Sequence, residues 1–327
     1  MLPVLFIFLF NVMPSSFSLA GAMLVLALGS ADLAVPSFFA SHMVLQHGAP
    51  VKLWGTGAKP AATVSVVLSS RAAPPATAVA GADGRWHVTL PAVAPSLAPA
   101  DIVITSSAGQ PAAAADSTVT LSSVLFGETY LCSGQSNMGL TVIATVNASA
   151  YIAAAGSGAA AAALRIAQVA TDPSYYNVTS PQTDLLLSVP WGAPSPANVA
   201  GMSAVCYYYG LEMVANHPGM PVGMIASAWG GTAVEVWMSP AALAKCGATR
   251  AATPAADDSA AATARSNPDP GLGHLPGRAH ELGACPTLHS TLWNAMIAPL
   301  LPLALSGYLW CKRCSCSLLA EAQPRPT

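Results

Sequence analysis

Between residues 51 and 121 the chain alternates apolar and polar positions in short runs. Val64, Val66 and Leu68 alternate with Thr63 and Ser65, and Trp86, Val88 and Leu90 alternate with Arg85, His87 and Thr89. A period of two sends successive side chains to opposite faces, so 63–68 and 85–90 predict strands buried on one side. Asp83-Gly84 is a turn signal ahead of the second run, and 57–60, 71–75 and 91–99 supply the other breaks. The pattern predicts a small antiparallel β-sandwich over 35–122.

Past Ser122 the texture changes. An apolar run over 124–132 ends in Ser133-Gly134-Gln135-Ser136-Asn137-Met138. Val205, Tyr208, Tyr209 and Met213 are spaced as one face of a helix over 205–215, and 221–228 is an apolar strand ending at Trp229-Gly230-Gly231-Thr232. A further helix over 292–301 leads into a strand over 307–310. Strands alternating with helices predict an α/β domain over 123–310, with a parallel sheet covered on both faces and ligands at the carboxyl ends of its strands. The Ala-rich stretches 148–163 and 251–264 read as low-complexity insertions, poorly ordered or loosely helical.

Composition narrows the function classes. The chain has 327 residues, 53% of them hydrophobic, which excludes a disordered polymer, and the length suits two domains. Twelve Lys+Arg against fourteen Asp+Glu give a net charge of -2, with the basic residues scattered apart from Lys312-Arg313, so nucleic acid is not expected as a partner. Frequent Pro and Gly disfavour a bundle of membrane helices. No charge precedes Asp32, and two apolar blocks flank Pro14-Ser15-Ser16, so 1–34 is expected to be an export signal or a retained anchor. Membrane is a partner only if that segment stays. The uncharged run 292–311, followed by Lys312 and Arg313, also admits a span, although Pro299, Pro302 and Gly307 favour a buried helix-turn-strand.

The sequons at Asn147 and Asn177 are glycosylation candidates and fit a secreted or lysosomal, endomembrane-luminal chain. Of seven cysteines, Cys246 and Cys285 bracket an Ala/Pro/Gly-rich insertion at about 247–285, and a disulfide closing that loop is expected. Cys311, Cys314 and Cys316 have no histidine within twenty residues, so neither a metal nor a cofactor is expected.

Serine becomes a useful nucleophile when its hydroxyl is presented at a strand end beside a base, with N–H groups ready for the oxyanion. Ser136 has that presentation: Gly134 permits a tight turn, Gln135 can orient polar groups, and the amides of Ser136 and Asn137 stand where a helix begins. Gly-Gln-Ser-Asn alone is a weak signal, since it is not the Gly-x-Ser-x-Gly elbow.

The wider context is more specific. Residues 131–138 (LCSGQSNM) resemble the nucleophile block of the sialate O-acetylesterases, members of the Ser-Gly-Asn-His hydrolase superfamily. Residues 39–55 (FASHMVLQHGAPVKLWG), 83–90 (DGRWHVTL) and 124–130 (VLFGETY) are similar to the family's sandwich segment and following strand. Residues 196–210 (PANVAGMSAVCYYYG), 221–240 (PVGMIASAWGGTAVEVWMSP) and 292–310 (LWNAMIAPLLPLALSGYLW) resemble later blocks in the family's order. The resemblance implies a partial flavodoxin-like three-layer α/β fold behind the β-sandwich, and hydrolysis of an acetyl ester on a sugar without metal or cofactor. It implies Ser136 as nucleophile, the Ser136 amide and Gly230 or Gly231 as oxyanion donors, and Gln135, Asn137, Trp229, Glu235 and Trp237 lining or supporting the sugar side. For the two tryptophans core packing is the competing expectation, and for Glu235 a solvated carboxylate.

The resemblance stops after Trp310. The family continues there with Tyr-Gln-Gly-Glu-x-Asn, whose Asn completes the oxyanion hole, and later with an Asp-x-x-His block supplying the base. Neither occurs here, and 311–327 is divergent. None of His42, His47, His87, His217, His274, His280 and His289 carries a motif placing it at Ser136; His289 is the best of them. The expectation is a slow esterase at best, with a non-catalytic carbohydrate-binding protein and a membrane-tethered protein as the competing readings. Arg165 alone does not make a carboxylate clamp, so the identity of the acetylated sugar is open.

Overall fold

The alternating runs become strands because one of their faces has a core to meet. In the computed structural model, which describes residues 32–70, 73–108, 117–246, 286 and 288–311, the first part of the chain forms β1 (Val44–Gln46), β2 (Val51–Gly55), β3 (Thr63–Leu68), β4 (Ala76–Val79), β5 (Trp86–Leu90), β6 (Ser96–Ser107) and β7 (Ser117–Gly134). Val64, Val66 and Leu68 of β3 are buried, as are Trp86, Val88 and Leu90 of β5, while His87 and Thr89 face solvent. Antiparallel β4-β3-β6-β7 forms one sheet, joined by β1 running parallel to β7, and the antiparallel pair β2-β5 forms the other. Leu53, Trp86 and Val88 share a core with Val64, Ile102 and Ile104, so the two sheets close as the expected sandwich.

β7 is 18 residues long and serves two sheets. Its first part pairs with β6; from Glu128 to Gly134 it pairs with β10 (Val222–Ala228), and from Tyr130 to Gly134 with β11 (Gly307–Cys311) on the other side. Between these parts Ser123 takes a left-handed φ of 58°, where the β6 register slips between Ala100 and Ile102. The Asp101 carboxylate accepts from the Ser123 N–H at 2.9 Å and holds this bulge. The boundary expected between 122 and 123 therefore falls within a continuous strand.

The second sheet runs β11-β7-β10-β8-β9, with β8 (Leu164–Val169) parallel to β10, and β9 (Leu187–Gly192) antiparallel to β8 at the edge. The helical elements are α1 (Ser136–Gly139), α2 (Ala148–Ala154), α3 (Gly158–Ala163), α4 (Pro196–Val199), α5 (Ala204–Asn216) and α6 (Pro240–Lys245), with shorter turns between them. The Ala-rich stretch 148–163 is thus helical in two pieces, while 251–264 lies outside the described residues. On one face of the sheet, Tyr130 and Cys132 of β7 and Val222, Met224 and Ala226 of β10 pack with Cys206, Tyr207 and Val214 of α5. On the other face, Leu131 and Ile225 pack with Met296, Ile297 and Leu300. This is the three-layer α/β arrangement.

Two expectations are corrected here. The helix expected over 292–301 is a π-helical turn, Trp293–Ile297, followed by a 3-10 turn, Ala298–Leu300. Pro299 lacks the N–H that a regular helix needs, so the ladder breaks there. The same run continues into β11, hydrogen-bonded to β7, so 292–311 is a folded layer of the domain and not a span. Among the described residues no helix is long and apolar enough to cross a membrane. The second correction concerns the cysteines. The disulfide present joins Cys132 of β7 to Cys206 of α5, both fully buried. Cys246, following α6, is an exposed free thiol, so it is not bridged to Cys285, which lies outside the described residues.

Candidate active site

Three parallel strands end together. Gly134 of β7 is in register with Ala228 of β10 on one side and Cys311 of β11 on the other, and the Trp229 N–H donates to the Gly134 carbonyl at 3.0 Å while the Gln135 N–H donates to the Cys311 carbonyl at 3.1 Å. Gly134 has φ +141°, and a Cβ there would stand 2.1 Å from the Cys311 carbonyl oxygen. Only glycine lets β7 turn away from β11 at this point.

The turn delivers Ser136 to the surface. Gln135 and Met138 are buried, whereas Ser136 and Asn137 are exposed on the single turn α1. The first N–H groups of a helix have no intrahelical acceptor, and the Gln135 side chain does not cap them. Gln135 Nε2 instead lies 3.5 Å from Ser136 Oγ, and its Oε1 is buried without a partner. Among the described residues this long contact is the one hydrogen bond made to the Ser136 hydroxyl. From 129 to 164 the chain carries no charged side chain, so α1 and its flanking chain bring no charge of their own to Ser136.

The WGGT turn closes over this point from β10. A Cβ on Gly230 would stand 3.5 Å from Ser136 Cα, so the two turns face each other across a space that one methyl group would fill. Gly231 takes φ +78°, and the Thr232 hydroxyl donates back to the Trp229 carbonyl at 2.8 Å while accepting from Trp237 Nε1 at 2.8 Å. Trp237 is 4% exposed, in the core. Trp229 is partly exposed and pairs with Tyr176 at 5.5 Å between ring centroids. Trp310 of β11, 50% exposed, stands edge-on to Trp237 at 6.0 Å.

The expected substrate-side residues thus divide. Asn137, Trp229 and Glu235 reach the surface; Gln135 and Trp237 lie beneath it and support the turns. Tyr176 and Trp310 complete the aromatic surface and were not singled out from the sequence. Trp310 stood in a recognised block, but nothing local marks Tyr176, which reaches Trp229 only through the tertiary fold. The Glu235 carbonyl accepts from the Ser290 N–H at 3.0 Å, which brings His289 to the WGGT side. His42, His47 and His87 belong to the sandwich, His217 follows α5 ahead of the start of β10, and none of the five described histidines bonds Ser136. His274 and His280 lie outside the described residues. Arg165 donates to the carbonyls of Ala161, Ala162 and Leu164 at the start of β8, the opposite end of the sheet. Burial lowers its pKa from the ordinary arginine value. The sequon asparagines Asn147 and Asn177 are both exposed.

Comparison with known proteins gives the following. No family model matches the chain. It is 29% identical over 283 residues to human sialate O-acetylesterase, covering 84% of this chain and 47% of that protein. It is 31% identical over 284 residues to the sialate O-acetylesterase of Pongo abelii, covering 84% and 47%. Among solved structures it is similar to a carbohydrate acetylesterase from Xanthomonas citri, with TM-score 0.62 and 28% identity over 86% of this chain and 51% of that one. The chain spans about half the length of the curated relatives it matches.

Proposed function

The chain belongs to the sialate O-acetylesterase family, and from that premise we propose that it carries the nucleophile half of an O-acetyl-sugar esterase site. The observation that carries the proposal is the exposed Ser136 at the shared carboxyl end of β7, β10 and β11, with the Gly230 backbone facing it. Ser136 Oγ attacks the acetyl carbonyl carbon, and the negative charge that develops on oxygen is met by the Ser136 N–H and by the N–H of Gly230 or Gly231. Collapse breaks the bond to the sugar oxygen, which leaves with a proton, and water then releases acetate from the acetyl-serine. Trp229, Tyr176 and Trp310 offer apolar ring surface for the sugar, and Asn137 and Glu235 offer polar groups at its edge.

The rate is set by what activates the hydroxyl. Among the described residues the hydrogen bond to Ser136 Oγ comes from Gln135 Nε2, and an amide is not a base. A triad enzyme without its base loses several powers of ten while oxyanion donors and binding leave a residual rate, so slow acetate release is what the described residues support by themselves. That same contact favours a second reading, a carbohydrate-binding protein without turnover. Acetate release from O-acetylated sugars, compared between the natural chain and Ser136→Ala, separates the two. Slow release lost in the variant supports the esterase; equal release from both, with calorimetric binding of the sugar retained, supports the binding protein. We place the chain in the secretory route, in keeping with the buried disulfide and the exposed sequons. Endoglycosidase digestion of chain made by secreting cells tests that placement.

A further inference from the structure

We infer that Ser203 and the Cys132–Cys206 disulfide form a clamp that positions the Ser136 turn, an inference that rests on Ser136 being the nucleophile. A four-residue helix cannot hold its own geometry, because nucleating one turn costs more than its single internal bond returns. Something outside α1 must fix it. The chain that follows α1 is met by the start of α5 and the segment ahead of it: the Ala204 N–H donates to the Leu140 carbonyl at 2.8 Å, Val142 N–H to Met202 at 3.0 Å and Ile143 N–H to Ala200 at 3.1 Å. At the centre of this pairing Ser203, 2% exposed, donates its hydroxyl to the Met138 carbonyl at 2.6 Å and accepts from the Cys206 N–H at 3.3 Å. The Ser203 N–H is tied in turn to Gln168 Oε1 of β8 at 2.9 Å.

An N-cap serine needs only its acceptor lone pair for the helix it begins. Here the donor proton is spent on a carbonyl two residues from Ser136, in the turn that displays it. Cys206, less than one helical turn on, is bonded to Cys132, four residues before Ser136 in β7. Ser136 therefore sits in a span held from both ends by the N-cap and first turn of α5, covalently upstream and by the Ser203 hydroxyl downstream. Neither group touches the reacting atoms; both are positioning residues, and a shift of about 1 Å in a reacting group costs on the order of a hundredfold in rate.

The test is the rate at which a small alkyl fluorophosphonate modifies Ser136, followed by intact mass, with melting temperature measured on the same samples. In that reaction Ser136 Oγ bonds phosphorus, fluoride leaves and the hydroxyl proton passes to solvent. Ser203→Ala is expected to slow labelling about tenfold or more while still melting cooperatively, Ser203→Thr to restore it, and Cys132→Ala with Cys206→Ala to slow it as well. A wild-type chain that takes no label at Ser136 overturns the nucleophile reading and this inference together. A labelled wild type beside a Ser203→Ala that labels equally fast overturns the clamp alone. Hydrogen exchange of the natural chain gives a check independent of variants: Val142, Ile143 and Ala204 amides are expected to be protected like those of β10, and exchange at open-loop rates would end the argument.

Discussion

Gly230 faces Ser136 across room for one methyl group: an added Cβ would stand 3.5 Å from Ser136 Cα and 3.7 Å from its Cβ. These are ordinary contact distances, so Gly230→Ala should fold with a melting temperature within a few degrees of the natural chain. On the proposed reading the methyl would nevertheless occupy space that the incoming acetyl carbonyl needs beside Ser136. Phosphonylation of Ser136 is expected to fall by roughly ten- to a hundredfold, the scale of misplacing a reacting group by up to about 1 Å. An unchanged labelling rate would place the acyl site elsewhere.

Gly134→Ala should fail for the opposite reason. Its backbone is at φ +141° and its Cβ would meet the Cys311 carbonyl oxygen at 2.1 Å, so neither torsion nor neighbour can give cheaply. We expect a loss of about 4 kcal/mol or more, read as insoluble chain or a strongly lowered denaturant midpoint. A variant melting like the natural chain would mean that β11 does not pack beside β7 as described.

Tyr130 makes stability fall in alkali. Burial first, and then its hydrogen bond to the Glu128 carboxylate, push its pKa well above the ordinary tyrosine value. The folded chain keeps a proton that the unfolded chain releases above a pH of about 10, so this contribution is complete below that pH and is lost as pH rises beyond it. Tyr130→Phe should flatten the alkaline limb of a stability-against-pH curve between about pH 10 and 12. An identical limb in the variant assigns the loss to other groups.

The Cys132–Cys206 bridge spans 74 positions, for which loop-closure entropy gives about 4 kcal/mol. Peptide mapping without reduction should recover a Cys132–Cys206 crosslink and an alkylatable Cys246. Replacing both bridged cysteines by alanine should lower stability by about that amount. A crosslink between Cys246 and Cys285 would reverse the assignment made here.

Much of this architecture could be read from one dimension, and what could not has physical reasons. β3 is found over 63–68 as alternation predicts, because one face meets a core and the other meets water. Ser136 and Gly230 came from the ends of apolar strands, and the sheet register then put those ends side by side. The cysteine pairing was not legible: Cys246 and Cys285 suggested a loop closure by sequence bracketing, whereas Cys132 and Cys206 meet because α5 lies across β7. The same holds for Ser203 and Tyr176, whose partners Met138 and Trp229 are far along the chain. The proline that breaks 292–301 was visible, but a π-helical turn has no pattern distinct from that of an amphipathic helix.

The long strand β7 gives the molecule a common keel. Because the backbone that pairs with the sandwich runs on without a linker to display Ser136, the sandwich is not a detachable module. Cutting at 122 would strip β7 of its β6 partner and free the bulge that Asp101 fastens at Ser123. A fragment beginning there should inherit the serine without the splint that aims it, and recombination that exchanges only the downstream sheet should succeed only when β6 travels with it.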